Sequence, residues 1–150
     1  MAAFAALDVS KKSTSIHIVD EKGVCSWRGK TLTNPAALAE ALSPFSDDLT
    51  LVGLETGSWT TWLWHELTER GFPMVCMDAR QAHAALSVTI NKTDANDAQG
   101  LAHLLRTGLF REVRVKGWED VQKRTLLRAR STMLRCVLDL ANAIRGALRT

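Results

Sequence analysis

Cysteine is scarce in this 150-residue chain, which has only three, Cys25, Cys76 and Cys136. They are odd in number and far apart, so they predict neither a disulfide framework nor a zinc site, and reduced thiols are expected. No segment approaches the roughly 18 consecutive apolar residues that span a membrane, and no basic region precedes the short apolar start. Internal repeats and low-complexity segments are also absent. These absences predict a soluble, bacterial-type cytoplasmic protein with no membrane partner.

The charged residues are distributed unevenly along the chain. Residues 1–100 carry 8 Lys or Arg against 12 Asp or Glu, a net charge of −4, whereas residues 101–150 carry 11 against 4, a net charge of +7. An acidic body followed by a basic tail indicates a polyanionic partner for the tail, and nucleic acid is the obvious class. The alternative is that the extra arginines only form a solvated helix face.

Three successive β-strands are predicted for the first part of the chain. FAALDV is an apolar run that ends in an acid, and SIHIVD alternates apolar and polar residues as a half-buried strand does. VCSWRGKTL can form a third strand. Because only short polar turns separate the three, they predict an antiparallel meander.

The periodicity then becomes that of helices alternating with strands. Asn34-Pro35 is a good helix start, and LTLVGLE is a continuous apolar run, typical of a strand buried on both faces. The order β-β-β-α-β-α-β-α with further helices is the one that an RNase H-like α/β domain requires. We predict that this domain covers residues 1–115. After LTLVGLE we predict a helix from about Trp59 to Arg70, a strand at FPMVCMDA, and helices at Arg80–Leu86 and Asp94–Arg106.

Four acids are predicted to lie at one end of this sheet. Asp8 and Glu55 each end the apolar run of a strand. If the two strands are adjacent and parallel, both carboxylates emerge at the sheet edge where open α/β sheets usually hold ligands. Asp94 and Asp97 are three residues apart at the start of a helix, so they project from one face of it. This arrangement brings four carboxylates within several ångströms of each other.

Carboxylates so close together require a cation. Hard carboxylate oxygens suit Mg²⁺ or Mn²⁺, and two such ions could activate a nucleophile and stabilise the leaving oxygen of a phosphodiester. Each acid also has a structural alternative: Asp8 as a turn acid, Asp94 as a helix N-cap, and Asp97 as a first-turn acid favoured by the helix dipole. Glu55 is hardest to explain without a functional partner.

Residues 116–150 are predicted to begin a helical, basic region with one long helix from Trp118. Its apolar residues form a stripe that can pack on a partner helix while the arginines face solvent or phosphate. No capping residue precedes Thr150, so we expect the region to be truncated. For Lys11 and Lys92 the alternative is plain exposure. The residues predicted to bind nucleic acid are Lys11, Lys92, Arg124, Arg128, Arg135 and Arg145.

Three segments resemble a known family: ALDVSKKS, GLETGSW and KTDANDAQGLAHLLRTG. They are similar to the amino-terminal, RuvC-like domain of the DEDD-type insertion-sequence transposases, the RNA-guided recombinase family that includes the Piv DNA invertase. The KTD-x-x-DA-x-x-LA block is the most specific, and the order and spacing of the three segments also agree. The resemblance covers roughly residues 4–150.

This resemblance implies a RuvC-like (RNase H-like) mixed sheet, with Asp8, Glu55, Asp94 and Asp97 as catalytic residues and metal ligands. It implies metal-dependent phosphodiester cleavage and strand transfer on DNA, in transposition or site-specific recombination, with a structured guide RNA as a further partner. The last helix corresponds to the family's coiled-coil segment, so a homodimer or higher oligomer is expected. The family's second domain, which supplies a serine nucleophile, has no counterpart here, so this chain alone is expected not to recombine DNA.

Two other functions are compatible with the sequence. The first is a stand-alone RuvC-like junction nuclease, which would cleave branched DNA by itself with Mg²⁺. The second is a non-catalytic fragment for nucleic-acid binding or dimerisation, which would bind nucleic acid equally well after Asp8→Ala. A transposase domain would lose its metal-dependent activity with that substitution.

Overall fold

The computed structural model describes residues 2–87 and 94–149, and for residues 94–96 it describes the backbone only. The chain divides into two compact units, Met1–Val115 and Lys116–Thr150. The strands of the larger unit are β1 (Ala3–Val9), β2 (Ser13–Asp20), β3 (Cys25–Leu32), β4 (Leu49–Glu55) and β5 (Met74–Met77). They form one sheet in the order β3-β2-β1-β4-β5.

The sheet is mixed, as the sequence predicts. β1 pairs antiparallel with β2, and β2 with β3, which is the predicted meander. β1 pairs parallel with β4, and β4 with β5. The turn between β2 and β3 is fixed by Asp20, whose Oδ1 accepts hydrogen bonds from the backbone N–H groups of Lys22 (2.9 Å) and Val24 (2.8 Å). Gly23 completes this turn with a φ of 82°, which a side chain would disfavour.

The described residues form five α-helices, at α1 (Pro35–Leu42), α2 (Thr60–Glu69), α3 (Ala79–Leu86), α4 (Asp94–Thr107) and α5 (Trp118–Ala147). Of the four helices whose N-cap residue is described, two start at side-chain caps. Asn34 Oδ1 accepts a hydrogen bond from Ala36 N (2.8 Å), and Asp78 Oδ1 accepts from Arg80 N (2.9 Å) and Gln81 N (3.3 Å). The Asp78 cap begins α3 at Ala79, one residue before the predicted start.

Each face of the sheet is covered by a different pair of helices. Strand alternation directs successive side chains to opposite faces, and the buried residues accordingly fall into two clusters. On the first face, α1 and α2 contribute Leu38, Leu42, Leu63 and Leu67, which pack with strand residues such as Leu7, Ile16 and Leu54. On the second face, α3 and α4 contribute Ala82, Leu101, Ala102 and Leu105, which pack with Ala6, Val19 and Val75.

The free edge of β5 is covered by the chain that follows α4. Glu112 forms an antiparallel bridge with Met77, and Val113 N donates a hydrogen bond of 2.8 Å to Cys76 O. Burial, together with the negative charges of Glu112 and Asp78, raises the pKa of the Cys76 thiol to about 11. The thiol is therefore protonated at neutral pH, which argues against a role for Cys76 as a nucleophile.

α4 packs on the sheet where β4 has a glycine, Gly53. A Cβ atom on Gly53 would stand 2.5 Å from Leu105 Cδ1 and 2.6 Å from Cδ2, closer than packing allows. A second glycine, Gly100 on α4, meets Leu86 of α3 so closely that any side chain there would overlap it. The two glycines therefore set the height of α4 above the sheet and its distance from α3.

The second unit is dominated by α5, a helix of 30 residues of which none is buried. Its apolar residues are mostly exposed on the helix surface, among them Leu127, Leu134, Val137, Leu138, Leu140 and Ile144. Among the described helices, none combines the length and the apolar character needed to cross a bilayer.

We expect Gly53→Ala to lower the free energy of unfolding by about 1–3 kcal/mol, because the added methyl group must displace Leu105 or lift α4. In a Leu105→Ala background the same substitution should cost clearly less, since the clash is gone. Urea unfolding of the four variants in this cycle measures the coupling. Gly146→Ala in α5 is the control, because a Cβ there meets nothing within 4 Å. Additive effects of Gly53→Ala and Leu105→Ala would contradict the packing argument.

Candidate metal centre

Asp8 and Glu55 lie level with each other on adjacent parallel strands. The register pairs Leu7 with Leu54, so the next residues, Asp8 and Glu55, stand side by side at the carboxyl ends of β1 and β4. Both side chains are half-buried. Because Leu7 and Leu54 belong to the cluster under α1 and α2, alternation directs both carboxylates to the opposite face, which α3 and α4 cover.

α4 brings a third carboxylate to the same place. Its buried residues Ala98, Leu101 and Leu105 face the sheet, and Asp97 precedes Leu101 by one helical turn, so it lies on nearly the same side of the helix. Asp8, Glu55 and Asp97 together line a cavity of about 300 Å³. The two strand ends and the first turn of α4 therefore converge on this cavity.

The backbone at Glu55 is held by the turn that follows it. Thr60 Oγ1, at the start of α2, donates a hydrogen bond to Glu55 O and accepts one from Gly57 N, both at 2.6 Å. Thr60 is buried. This turn lines a smaller cavity of about 90 Å³ together with Asp8 and Glu55. The carbonyl group of Glu55 is thus fixed while its side chain faces the larger cavity.

Sequence reasoning missed the wall that α3 contributes. His83, Leu86 and Ser87 complete the lining of the 300 Å³ cavity with Leu101 of α4. His83 has no metal-ligand spacing around it in the sequence; it is exposed, and it borders the acids. The sequence signal that could have located His83 is Asp78, the N-cap that fixes the start of α3. A helix that starts there places His83 and Ser87 one turn apart on the same side of α3.

The remaining predicted residues have different outcomes. Asp94 is the first residue of α4, but its side chain lies outside the described residues, as does Lys92 altogether. Lys11 is exposed in the turn between β1 and β2, three residues after Asp8. Four arginines are exposed on α5, in the separate second unit: Arg124, Arg128, Arg135 and Arg145.

The donor atoms at the cavity suit a hard divalent cation. Three carboxylates offer only oxygen ligands, which Mg²⁺ and Mn²⁺ prefer, and the cavity has room for the several waters that Mg²⁺ retains. Within the described side chains, however, no three His, Cys, Asp or Glu residues stand close enough to hold one ion by themselves. The described residues therefore fit a cation that completes its coordination with water or a further oxygen ligand.

Comparison with known proteins identifies a family and a fold for this chain. The family model of the DEDD transposases of the IS110 type, described as Transposase, matches residues 5–150. No curated protein matches the chain. Among solved structures, Thermus thermophilus RuvC aligns with a TM-score of 0.52 and 14% identity over 74% of this chain and 99% of its own. The large terminase nuclease of the thermophilic phage G20c aligns with a TM-score of 0.43 and 14% identity over 71% of this chain and 54% of its own.

The similarity to RuvC, at 14% identity, confirms the predicted RNase H-like fold of the mixed sheet with its flanking helices. The family match covers nearly the whole chain and confirms the resemblance seen in the three sequence segments. On that match, the chain belongs to the DEDD transposase family.

Proposed function

We propose that Asp8, Glu55 and Asp97, together with Asp94, bind two divalent cations, Mg²⁺ or Mn²⁺, and that this centre cleaves a phosphodiester of DNA during transposition. The observation that carries the proposal is the convergence of Asp8, Glu55 and Asp97 on one cavity of about 300 Å³. The family match supports the reaction class, because transposases break and rejoin DNA strands.

The electrostatics of the cavity favour a cation. Adjacent strands are about 4.8 Å apart, so the carboxylates of Asp8 and Glu55, level on neighbouring strands, repel each other when both are ionised. Asp97 adds a third negative charge from α4. A divalent cation offsets this repulsion and converts an arrangement that would repel DNA into one that attracts a phosphate.

Each part of the cavity has a separate task in this proposal. The carboxylates hold the ions, and Thr60 fixes the backbone from which Glu55 projects. When bound, two ions would supply the charge that stabilises the attacking and leaving oxygens of an in-line displacement. Leu86 and Leu101 form apolar walls that limit water. His83, at the same cavity, offers an imidazole that can form a hydrogen bond to a bound ligand.

Asp8→Asn and Glu55→Gln are expected to abolish most of the stabilisation by Mg²⁺. At a Mg²⁺ concentration about a hundredfold above its dissociation constant, the unmutated chain should gain about 2.7 kcal/mol. Thermal unfolding with Mg²⁺ and with EDTA measures this difference, and calorimetric titration with Mn²⁺ checks it independently. Glu40→Gln, an exposed carboxylate on α1, is the control and should keep the full gain. An undiminished gain in Asp8→Asn would rule out the proposed ligand set.

The second unit supports a proposal of self-association. Leu127, Leu134 and Ala141 of α5 and its C-cap residue Leu148 recur every seven residues, which is the repeat of a left-handed coiled coil. Leu134 is 47% exposed and Leu138 61% exposed, so the apolar stripe has no cover within its own unit. A second copy of α5 would bury the stripe and give the homodimer, or higher oligomer, that the family resemblance implies.

Leu134→Asp is expected to shift the chain from dimer to monomer, because a carboxylate at the centre of the stripe would be buried without a partner. Sedimentation velocity at several protein concentrations measures the change. Thr132→Asp is the matched control, since at 100° per residue Thr132 lies on roughly the opposite side of the helix. Equal masses for Leu134→Asp and the unmutated chain would contradict an α5 interface.

The arginines of α5 support a nucleic-acid contact. At 100° per residue, Arg124, Arg128 and Arg135 fall within about 40° of each other, whereas Arg145 lies about 60° from Arg124, beside the apolar stripe. The first three therefore form one basic side that a dimer would leave exposed. We assign to it the phosphate backbone of DNA or of the structured guide RNA that the family resemblance implies. Lys11, in the turn after Asp8, is a further contact, and the same role is assigned to Lys92 from the sequence alone.

Arg128→Ala with Arg135→Ala should weaken nucleic-acid binding and lower its salt dependence. Each lost contact to a duplex phosphate reduces the slope of log K against log salt by about 0.9, so the double variant should lose about 1.8. Fluorescence anisotropy at several salt concentrations measures both quantities. Lys22→Ala with Arg70→Ala removes two exposed charges elsewhere and should leave the slope unchanged. The assignment fails if both double variants behave alike.

A further inference from the structure

A second cavity opens on the same face of the sheet, on the other side of α4. α4 packs over β1, β2 and β4, and a groove of about 410 Å³ lies between this helix and the edge strand β3. It is lined by Ser15, Ile16 and His17 of β2, Arg28, Gly29 and Lys30 of β3, and Ala98 of α4. Among these only Arg28 and Lys30 carry a permanent positive charge.

The register of the sheet connects this groove to the acids. Asp8 pairs with Ser15, and Ser15 pairs with Lys30. Together with the level positions of Asp8 and Glu55, this gives one row across four strands: Glu55, Asp8, Ser15 and Lys30. Two strand spacings separate Asp8 from Lys30, about 10 Å between their backbones. The distance from Asp8 to Lys30 therefore corresponds to the length of one or two nucleotides.

The charge of the groove is positive and faces solvent. Arg28 and Lys30 are both exposed, and alternate residues of β3 place them on the same face, about 7 Å apart. Within the described part of the chain Arg28 makes no ion pair. Burial of His17, with the positive charges of His103 and Arg28 nearby, lowers the pKa of its imidazole below the usual value of 6.5. His17 therefore adds no charge at neutral pH, and the groove's attraction for an anion depends on Arg28 and Lys30.

We propose that Ser15, Arg28 and Lys30 bind the phosphate backbone of the DNA strand that enters the acidic cavity, next to the phosphodiester that is cleaved. The proposal rests on the proposed function, because the acids define which strand is meant. Two cations two residues apart on an extended β-strand match the repeated charges of an extended nucleic-acid strand. The hydroxyl of Ser15, between Asp8 and Lys30 in the row, can donate to a phosphate oxygen.

The groove fits a single strand better than a duplex. It is bordered by α4 on one side and the sheet edge on the other, and it holds about 410 Å³, which is far less than a duplex requires. The described lining contains no aromatic side chain on which bases could stack. The groove therefore recognises the nucleic-acid backbone, independently of the base sequence. Binding there fixes the position along the DNA strand at which the acids act.

The test uses the full chain and a fluorescent single-stranded oligothymidylate in EDTA, so that neither cleavage nor metal binding contributes. Arg28→Ala with Lys30→Ala should weaken binding about tenfold near 0.1 M salt and lower the salt slope by about 1.4, at about 0.7 per single-strand phosphate contact. Arg28→Lys with Lys30→Arg keeps both charges and should restore the slope. Lys22→Ala with Arg70→Ala is the matched control and should retain the original slope.

The outcomes separate this inference from the metal centre. An unchanged slope in the Arg28→Ala/Lys30→Ala variant, in a chain that still gains stability from Mg²⁺, overturns the groove and leaves the centre intact. A reduced slope in a chain without any response to Mg²⁺ supports the groove and overturns the centre. A loss of binding that appears with single-stranded RNA and not with oligothymidylate overturns the assignment to DNA.

Discussion

The close approach of α4 to the sheet is the constraint on which the candidate site depends. Gly53 lets Leu105 lie directly on β4, and a helix held at that height delivers Asp97 to the cavity that Asp8 and Glu55 line. A larger residue at position 53 would have to displace Leu105 or raise the helix, and a raised helix would separate the carboxylates although each strand was unchanged. The geometry of the candidate site therefore depends on how the core packs at Gly53, two residues before Glu55.

The alternation of strand residues explains why the apolar cluster under α1 and α2 and the candidate site lie on opposite faces of the sheet. Leu7 and Leu54 point into the cluster under α1 and α2, so their neighbours Asp8 and Glu55 must point to the face of α4. That face is covered incompletely, because α4 packs over β1, β2 and β4, and the groove beside β3 remains. Acids and basic residues therefore share one surface without any loop between them.

Much of this arrangement follows from local patterns, and the rest does not. Apolar runs that end in an acid predict the strands that carry Asp8 and Glu55. A strand that is buried on both faces is recognisable in the sequence because its apolar residues form a short continuous run. The row that joins Asp8 to Lys30 depends on the registers of two antiparallel strand pairs, β1 with β2 and β2 with β3. The local sequences of these strands, such as SIHIVD and KTL, do not specify either register. His83 was missed for a similar reason, since its place depends on how α3 packs against α4 at Gly100. The side chain of Asp94 and the whole of Lys92 lie outside the described residues, so their predicted roles remain predictions.

Charge explains why the acidic and basic parts belong together. In the proposed function, the DNA strand and the carboxylates are both anionic, so the strand would approach Asp8 and Glu55 only against repulsion unless cations were bound there. Arg28 and Lys30 would offset part of that repulsion from two strands away, because their attraction reaches about 10 Å at moderate salt before counterions screen it. The strand and the divalent ions should therefore bind with positive coupling, since each reduces the electrostatic cost of the other. A site with the acids alone would hold ions well but would leave the strand without a fixed position.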